Sequence, residues 1–145
     1  MNRLFNTNYN HRSLDAGLFI LRAGIAGLML SHGLPKLNGL LAGGEIQFGD
    51  PIGVGPAASL VLAVFAEVFC SVLLLFGLAT RLAVVPLIVT MLVALLVVHA
   101  EDPFQKMEPA FHYLLVYVVL LFSGAGKISL DSVISRRLNH SKRGF

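Results

Sequence analysis

An all-α integral membrane four-helix bundle is the fold the sequence predicts, and three observations predict it. Of 145 residues, 56% are hydrophobic and only 13% are charged, where soluble domains carry about 25% charged residues. Four long apolar runs stand between polar connections, each close to the ~20 residues that a helix needs to cross a hydrocarbon core about 30 Å thick. None of the runs alternates apolar and polar residues over about ten positions, as membrane barrel strands do. Residues 1–145 read as a single transmembrane domain.

The first helix is expected over residues 14–34. A polar, basic arm precedes it, with Leu4, Phe5 and Tyr9 placed at the headgroups. The run is too long for the apolar region of a signal peptide, contains Arg22, and has no small-x-small cleavage site before Pro35, so it is read as a retained helix. Residues 35–56 form an outer loop whose Gly43-Gly44, Asp50-Pro51 and Gly55-Pro56 pairs are turn signals. Its length suits a cap over the bundle. The second helix is expected over 57–79 and the third over 82–100. Thr80-Arg81 leaves almost no slack between them, which makes them antiparallel neighbours. Pro86 falls in the first turn of the third helix, where its missing N–H costs little. An acidic connection leads to the fourth helix, 110–126, and a basic tail, 127–145, follows. Ser129 or Asp131 is placed to start a short interfacial helix there.

Charge sets the expected orientation. With the N-terminus inside, the inner segments hold Arg3, Arg12, Arg81, Lys127, Arg136, Arg137, Lys142 and Arg143, and the outer loops hold only Lys36 and Lys106. Both termini are therefore expected to be cytoplasmic. The net charge of +3 reflects this topology, and no nucleic-acid motif or partner is expected. Two readings of the basic tail stand side by side: attraction to anionic lipid, or an ordinary positive-inside stop.

The lone Cys70 excludes dithiol chemistry within the chain, and beside Ser71 it reads as a small packing residue. No zinc pattern is present and no metal is expected. No haem, flavin or iron–sulfur motif is visible. Chemistry is concentrated instead in charges inside apolar runs, which cost about 2.5–3.5 kcal/mol at a bilayer centre unless partnered. Asp15, Arg22, Met29, Gly33 and Lys36 share one stripe of the first helix, and Glu67, Cys70, Ser71 and Leu74 one stripe of the second. Counted from Leu34 and Ala57 at 1.5 Å per residue, Arg22 and Glu67 lie about 18 and 15 Å deep. A buried Arg22–Glu67 ion pair is the expectation, either as a pin fixing helix register or as the polar floor of a cavity. His32, Lys36, His99 and His112 form a second candidate set at the outer face, with Glu101, Asp102 and Glu108 nearby. Imidazoles there suit proton exchange or hydrogen bonding, or simple interfacial placement. Tyr113 and Tyr117, one turn apart, read as belt and packing residues.

Several segments together carry a resemblance. His32-Gly33-Leu34-Pro35-Lys36, Phe65-Ala66-Glu67, Gly77-Leu78-Ala79-Thr80-Arg81-Leu82 and Gly124-Ala125-Gly126-Lys127-Ile128-Ser129-Leu130-Asp131 are similar in order and spacing to the DoxX family, from about Leu14 to Asp131. Ala125 stands where the family pattern has proline. The resemblance implies a four-helix protein of the bacterial inner membrane. It marks His32, Lys36, Glu67 and Arg81 as a family-like polar set, with Arg22 matching the first-helix arginine. Some relatives are linked to thiosulfate:quinone oxidoreduction and others to membrane complexes of oxidative or thiol stress defence.

Three functional classes follow. The chain is a quinone-interacting, redox-associated subunit with a membrane or periplasmic redox partner; or a non-catalytic anchor or assembly partner; or a small-solute transporter, which a single four-helix unit has little room to be. Gly24, Gly27 and Gly33 permit close contact within the chain or in a homo-oligomer.

Overall fold

The computed structural model describes residues 10–141, and among them every regular element is helical. The arm residues Leu4, Phe5 and Tyr9, and Lys142 and Arg143 of the tail, lie outside the described residues. Helix α1 spans His11–Ala42. It starts where the Asn10 side chain accepts a hydrogen bond from the Arg12 amide at 3.1 Å, an N-cap that satisfies one of the free amides of the first turn. It ends at Gly43, well past the expected Leu34, because Pro35 sits inside the helix instead of ending it. Prolines are tolerated in membrane helices when neighbouring groups take up the freed backbone carbonyl. The loop that remains is residues 43–55.

Helix α2, Pro56–Phe76, and helix α3, Thr80–Val98, follow with a very tight turn between them. Each contains a wider π-helical turn, Phe65–Cys70 in α2 and Ala94–Val98 in α3. The latter closes with the His99 amide on the Ala94 carbonyl at 2.9 Å. Helix α2 stops three residues before the expected Ala79. Gly77 takes a left-handed conformation at φ 66°, its amide bonds the Leu74 carbonyl, and the Leu78 amide bonds the Leu73 carbonyl. This paired arrangement is a Schellman stop, which glycine enters without the Cβ penalty. Helix α3 starts at Thr80, so Pro86 lies beyond its first turn. Helix α4, Phe104–Ser123, runs against α3, and α5, Leu130–Ser141, leaves the same end of the bundle as the α2–α3 turn.

Helices α1, α2 and α3 are each long and apolar enough to cross a membrane. In α4 the first turns carry Lys106, Glu108 and His112, which shortens its purely apolar part. The outward residues are large and apolar, Leu82, Leu96 and Phe122 among them, as lipid contact requires. Lipid tails are as apolar as leucine, so association rests on close packing instead of hydrophobic burial. Small residues accordingly occupy several interior positions, with Ala26, Gly33, Ala66, Cys70, Ser71 and Ala83 all buried beside larger side chains such as Met29, Leu74, Leu87 and Tyr117. Of the predicted stripes, Arg22, Met29 and Gly33 on α1 are buried and Asp15 and Lys36 half-buried, while Glu67, Cys70, Ser71 and Leu74 on α2 are all buried.

At the loop end, Asp50 accepts the Val54 and Gly55 amides at 3.0 and 2.8 Å and the Ser59 hydroxyl at 2.8 Å. These bonds, that from Ser59 foremost, hold its carboxyl below the ordinary aspartate range. A depressed carboxylate stabilises the fold at pH values above the unfolded pKa and loses that contribution as pH falls through the folded one. Asp50→Ala is therefore expected to lower the thermal midpoint at neutral pH, with the difference from wild type vanishing in strong acid. A difference that persisted unchanged into acid would count against the carboxylate.

Candidate functional site

Glycine contacts fix the register of α1 against α2. A Cβ on Gly33 would fall 2.8 Å from Val68 Cγ2 and 2.9 Å from the Glu67 carbonyl carbon and Cβ. A Cβ on Gly77 would fall 2.7 Å from Arg22 Nη1. The antiparallel helices thus place Gly33 at the level of Glu67 and Arg22 at the level of Gly77. Glu67 to Gly77 is about 15 Å of helix at 1.5 Å per residue, so Arg22 and Glu67 occupy different depths.

The expected Arg22–Glu67 pair is accordingly not formed. Its depth count took Leu34 as the edge of α1, and the helix continues past Pro35. That continuation keeps Lys36 helical, one turn beyond Gly33 on the buried stripe, and Lys36 Nζ meets Glu67 Oε1 at 2.5 Å. The Lys36 side chain is 33% exposed and that of Glu67 only 4%, so lysine reaches in from the loop end to a carboxylate already inside. Phe48 of the loop lies over Lys36, with Nζ 5.9 Å from the ring centroid, within the range of a cation–π contact. The 43–55 loop therefore does return over the bundle at this point.

Of the five buried polar side-chain atoms without a partner among the described residues, Arg22 Nε and Thr80 Oγ1 lie toward the turn end and three belong to Glu67, Ser71 and Tyr117. Glu67 Oε2, Ser71 Oγ and Tyr117 Oη are buried and have no hydrogen-bond partner among the described residues. Ser71 and Tyr117 are fully buried, and Glu67 is close enough to Tyr113 and Tyr117 to act on both phenols electrostatically. The two tyrosine rings stack at 6.0 Å, and His32 meets the ring of Tyr113 edge-on at 5.9 Å. Each unsatisfied buried polar group costs about 1–3 kcal/mol, so these three atoms leave hydrogen-bonding capacity in the core that the described residues do not meet. Glu67 also stands in the π-helical turn Phe65–Cys70, and such turns recur at functional sites. Tyr117 and Ser71 were read from sequence as packing residues. Ser71 stands one turn from Glu67 on the same stripe of α2, whereas the position of Tyr117 depends on how α4 packs into the bundle.

The outer-face set does not come together as one group. Lys36 turns inward to Glu67. His99 Nδ1 pairs with Asp102 Oδ2 at 2.8 Å, and Lys106 Nζ bonds the other oxygen of Asp102 at 2.9 Å. His112 Nδ1 lies 2.9 Å from the Glu108 carbonyl oxygen. Partners three or four residues away are reached at little entropic cost, and they take His99 and His112 before any convergence. His32 is exposed and meets the centre through the edge-on contact with the Tyr113 ring. Among the described residues no group of three His, Cys, Asp or Glu could hold a metal ion.

Arg22 belongs to a second polar centre, at the turn end. Its Nη1 donates to the Leu74 and Leu75 carbonyls, both at 2.6 Å, and its Nη2 to the Ile128 carbonyl at 2.8 Å. The last carbonyls of a helix lack internal partners and carry partial negative charge, so a guanidinium is well matched to them. Asp131 does the converse for α3, its two oxygens accepting the Ala79 and Thr80 amides at 2.7 and 3.0 Å. The Asp131 amide donates to the Gly77 carbonyl at 2.9 Å, Asp15 accepts the Lys127 amide at 2.9 Å, and Arg81 Nη2 reaches the Phe122 carbonyl at 3.1 Å. The 77–82 and 124–131 segments are thus two halves of one interlock. Ala79 carries a left-handed φ of 48°, a strained conformation for a residue with a Cβ, held by the Asp131 bond.

Comparison with known proteins bears on this arrangement. A family model described as DoxX matches residues 17–100. A protein of Haemophilus influenzae described as uncharacterized is 34% identical over 126 residues, 82% of this chain and 83% of its own. A Bacillus subtilis protein named "Putative oxidoreductase CatD" is 32% identical over 126 residues, 86% of this chain and 91% of its own. No solved structure matches.

Proposed function

The chain belongs to the DoxX family of membrane proteins, and on that footing we propose that it is a redox-associated subunit of a membrane oxidoreductase system, interacting with a quinone at the Lys36–Glu67 site. It sits in the bacterial inner membrane with four spanning helices, α4 being the fourth. The turn end, with Arg12, Arg81, Lys127, Arg136 and Arg137, is cytoplasmic by the positive-inside rule.

The observation that carries the reading is the group of unpartnered buried atoms, Glu67 Oε2, Ser71 Oγ and Tyr117 Oη, beside the Lys36–Glu67 pair. Their chemistry fits a quinone head group. Lys36 Nζ and the hydroxyls of Ser71 and Tyr117 are donors for a ring carbonyl, and Glu67 Oε2 is an acceptor for a ring hydroxyl. The surrounding helix faces are apolar, as a lipid-soluble ring and tail require. A bound quinone supplies reversible two-electron, two-proton chemistry. Lys36 holds the Glu67 carboxyl in place through Oε1, Glu67 and Tyr117 present their free oxygens to the head group, and Phe48 packs over Lys36 at the loop end. The name of the Bacillus subtilis relative, an oxidoreductase, is consistent with this reading.

Mass spectrometry of lipids extracted from the purified protein tests it. Quinone is expected to co-purify with wild type and to be lost from Glu67→Gln and Tyr117→Phe, while the single Cys70 remains shielded from thiol reagents. Wild-type protein that carries no quinone and binds none on addition would leave the non-catalytic anchor in its place.

A further inference from the structure

Helix α5 has an apolar face that no described residue covers. Leu130, Ile134 and Leu138 recur at four-residue spacing with Val133 beside them, and they are 43%, 45%, 61% and 47% exposed respectively. Ile128, just before the helix, is also exposed. The position of α5 is nevertheless fixed. Ser129 caps it, accepting the Ser132 amide at 3.2 Å. Asp131 ties its first turn to the Ala79 and Thr80 amides, and Arg22 holds Ile128 just ahead of it. The helix therefore begins at the level where the membrane-spanning helices α2 and α3 end.

We propose that α5 is a surface-docking helix whose apolar face lies in the headgroup layer of an anionic lipid bilayer. Two features select lipid over a protein partner or a second copy. First, α5 begins at the level where the spanning helices α2 and α3 end, so the bilayer boundary is already at hand. Second, at 100° per residue Arg137 falls inside the apolar arc, between Val133 and Leu130. A dry protein groove would strand its guanidinium, whereas a headgroup layer lets the stem lie along apolar surface and the charge reach lipid phosphate. Arg136 flanks the same arc. This placement needs only the turn end to meet a membrane, and it is independent of the quinone reading.

The chain has no tryptophan, so a single introduced one reports without background. Leu138→Trp and Val133→Trp on the docking face, and Ser135→Trp off it, are each placed in full-length protein at one copy per lipid nanodisc. In anionic discs whose lipids carry bromine high on the acyl chains, the first two are expected to emit at blue-shifted wavelength and to be quenched, and the third, which faces the Ala79–Leu82 turn, to escape quenching. Adding Arg136→Gln or Arg137→Gln to Leu138→Trp should lower the ratio of docked to undocked helix about fivefold each. Replacing the anionic lipid with a zwitterionic one should act in the same direction. Water-like emission from both face positions overturns the proposal. So does a blue shift without bromine quenching, which would mean protein cover, and so does equal quenching in zwitterionic discs.

Discussion

Lys36→Met is expected to destabilise the bundle by about 3 kcal/mol. Removing one partner of a buried ion pair leaves the other charge uncompensated, at about 3–5 kcal/mol, and the lower end applies because Lys36 is 33% exposed. Cys70 is the only cysteine, and it is 2% exposed. Its reaction with a maleimide in mild detergent therefore reports opening of the core. The variant should show a rise in open population of roughly a hundredfold. The double variant Lys36→Met/Glu67→Met should recover most of the loss, since apolar replacement of both partners is often neutral. The combination of Glu67→Gln with an Arg22 variant should be additive within about 0.5 kcal/mol, as expected for sites well separated in depth. Strong coupling of Glu67 to Arg22, with none to Lys36, would refute the pairing.

The runs, the stripes and the tight 77–82 turn follow from composition and from the 3.6-residue period, which depend on neighbours along one helix. Arg22 and Glu67 were each placed on the correct buried stripe. Their pairing failed because it also required the register between two helices, and that register turned on whether α1 stopped at Pro35. The same error placed Lys36 in the outer loop among acidic residues. Of the unpartnered trio, Ser71 is visible one turn from Glu67 on the same stripe, whereas Tyr117 looks like a packing residue until α4 is set into the bundle. By contrast, the segments that resemble the DoxX pattern were visible as motifs, but their shared role was not. Gly77, Arg81 and Asp131 are separated by up to 54 positions in number (131 − 77), and only the fold shows that Asp131 caps the helix that Thr80 begins. A polar residue in such a motif is as readily a backbone partner as a site residue.

The turn-end interlock makes Arg22 the residue whose loss should be felt most widely there. Its guanidinium is 1% exposed and joins α1 to the end of α2 and to the segment leading into α5. Charge-assisted bonds of this kind contribute about 1.5–3 kcal/mol each. Shared donors and relaxation keep the sum below simple addition, so Arg22→Met is expected to cost about 3–5 kcal/mol. Arg22→Lys should recover only part of this, because an ammonium is a point charge without the fork that reaches Leu75 and Ile128 together. The location of the damage separates this lesion from that of Lys36. Hydrogen exchange should accelerate first at the amides of Gly77, Ala79, Thr80 and Asp131 in the Arg22 variants, and first within Phe65–Cys70 in Lys36→Met. The Arg22→Met lesion should also free α5 from its fixed starting level, so proteolysis after Lys127 would rise in that variant alone. If Arg22→Met leaves exchange at the 77–80 turn unchanged, the guanidinium is not what holds the interlock, and the Asp131 bonds to Ala79 and Thr80 must suffice.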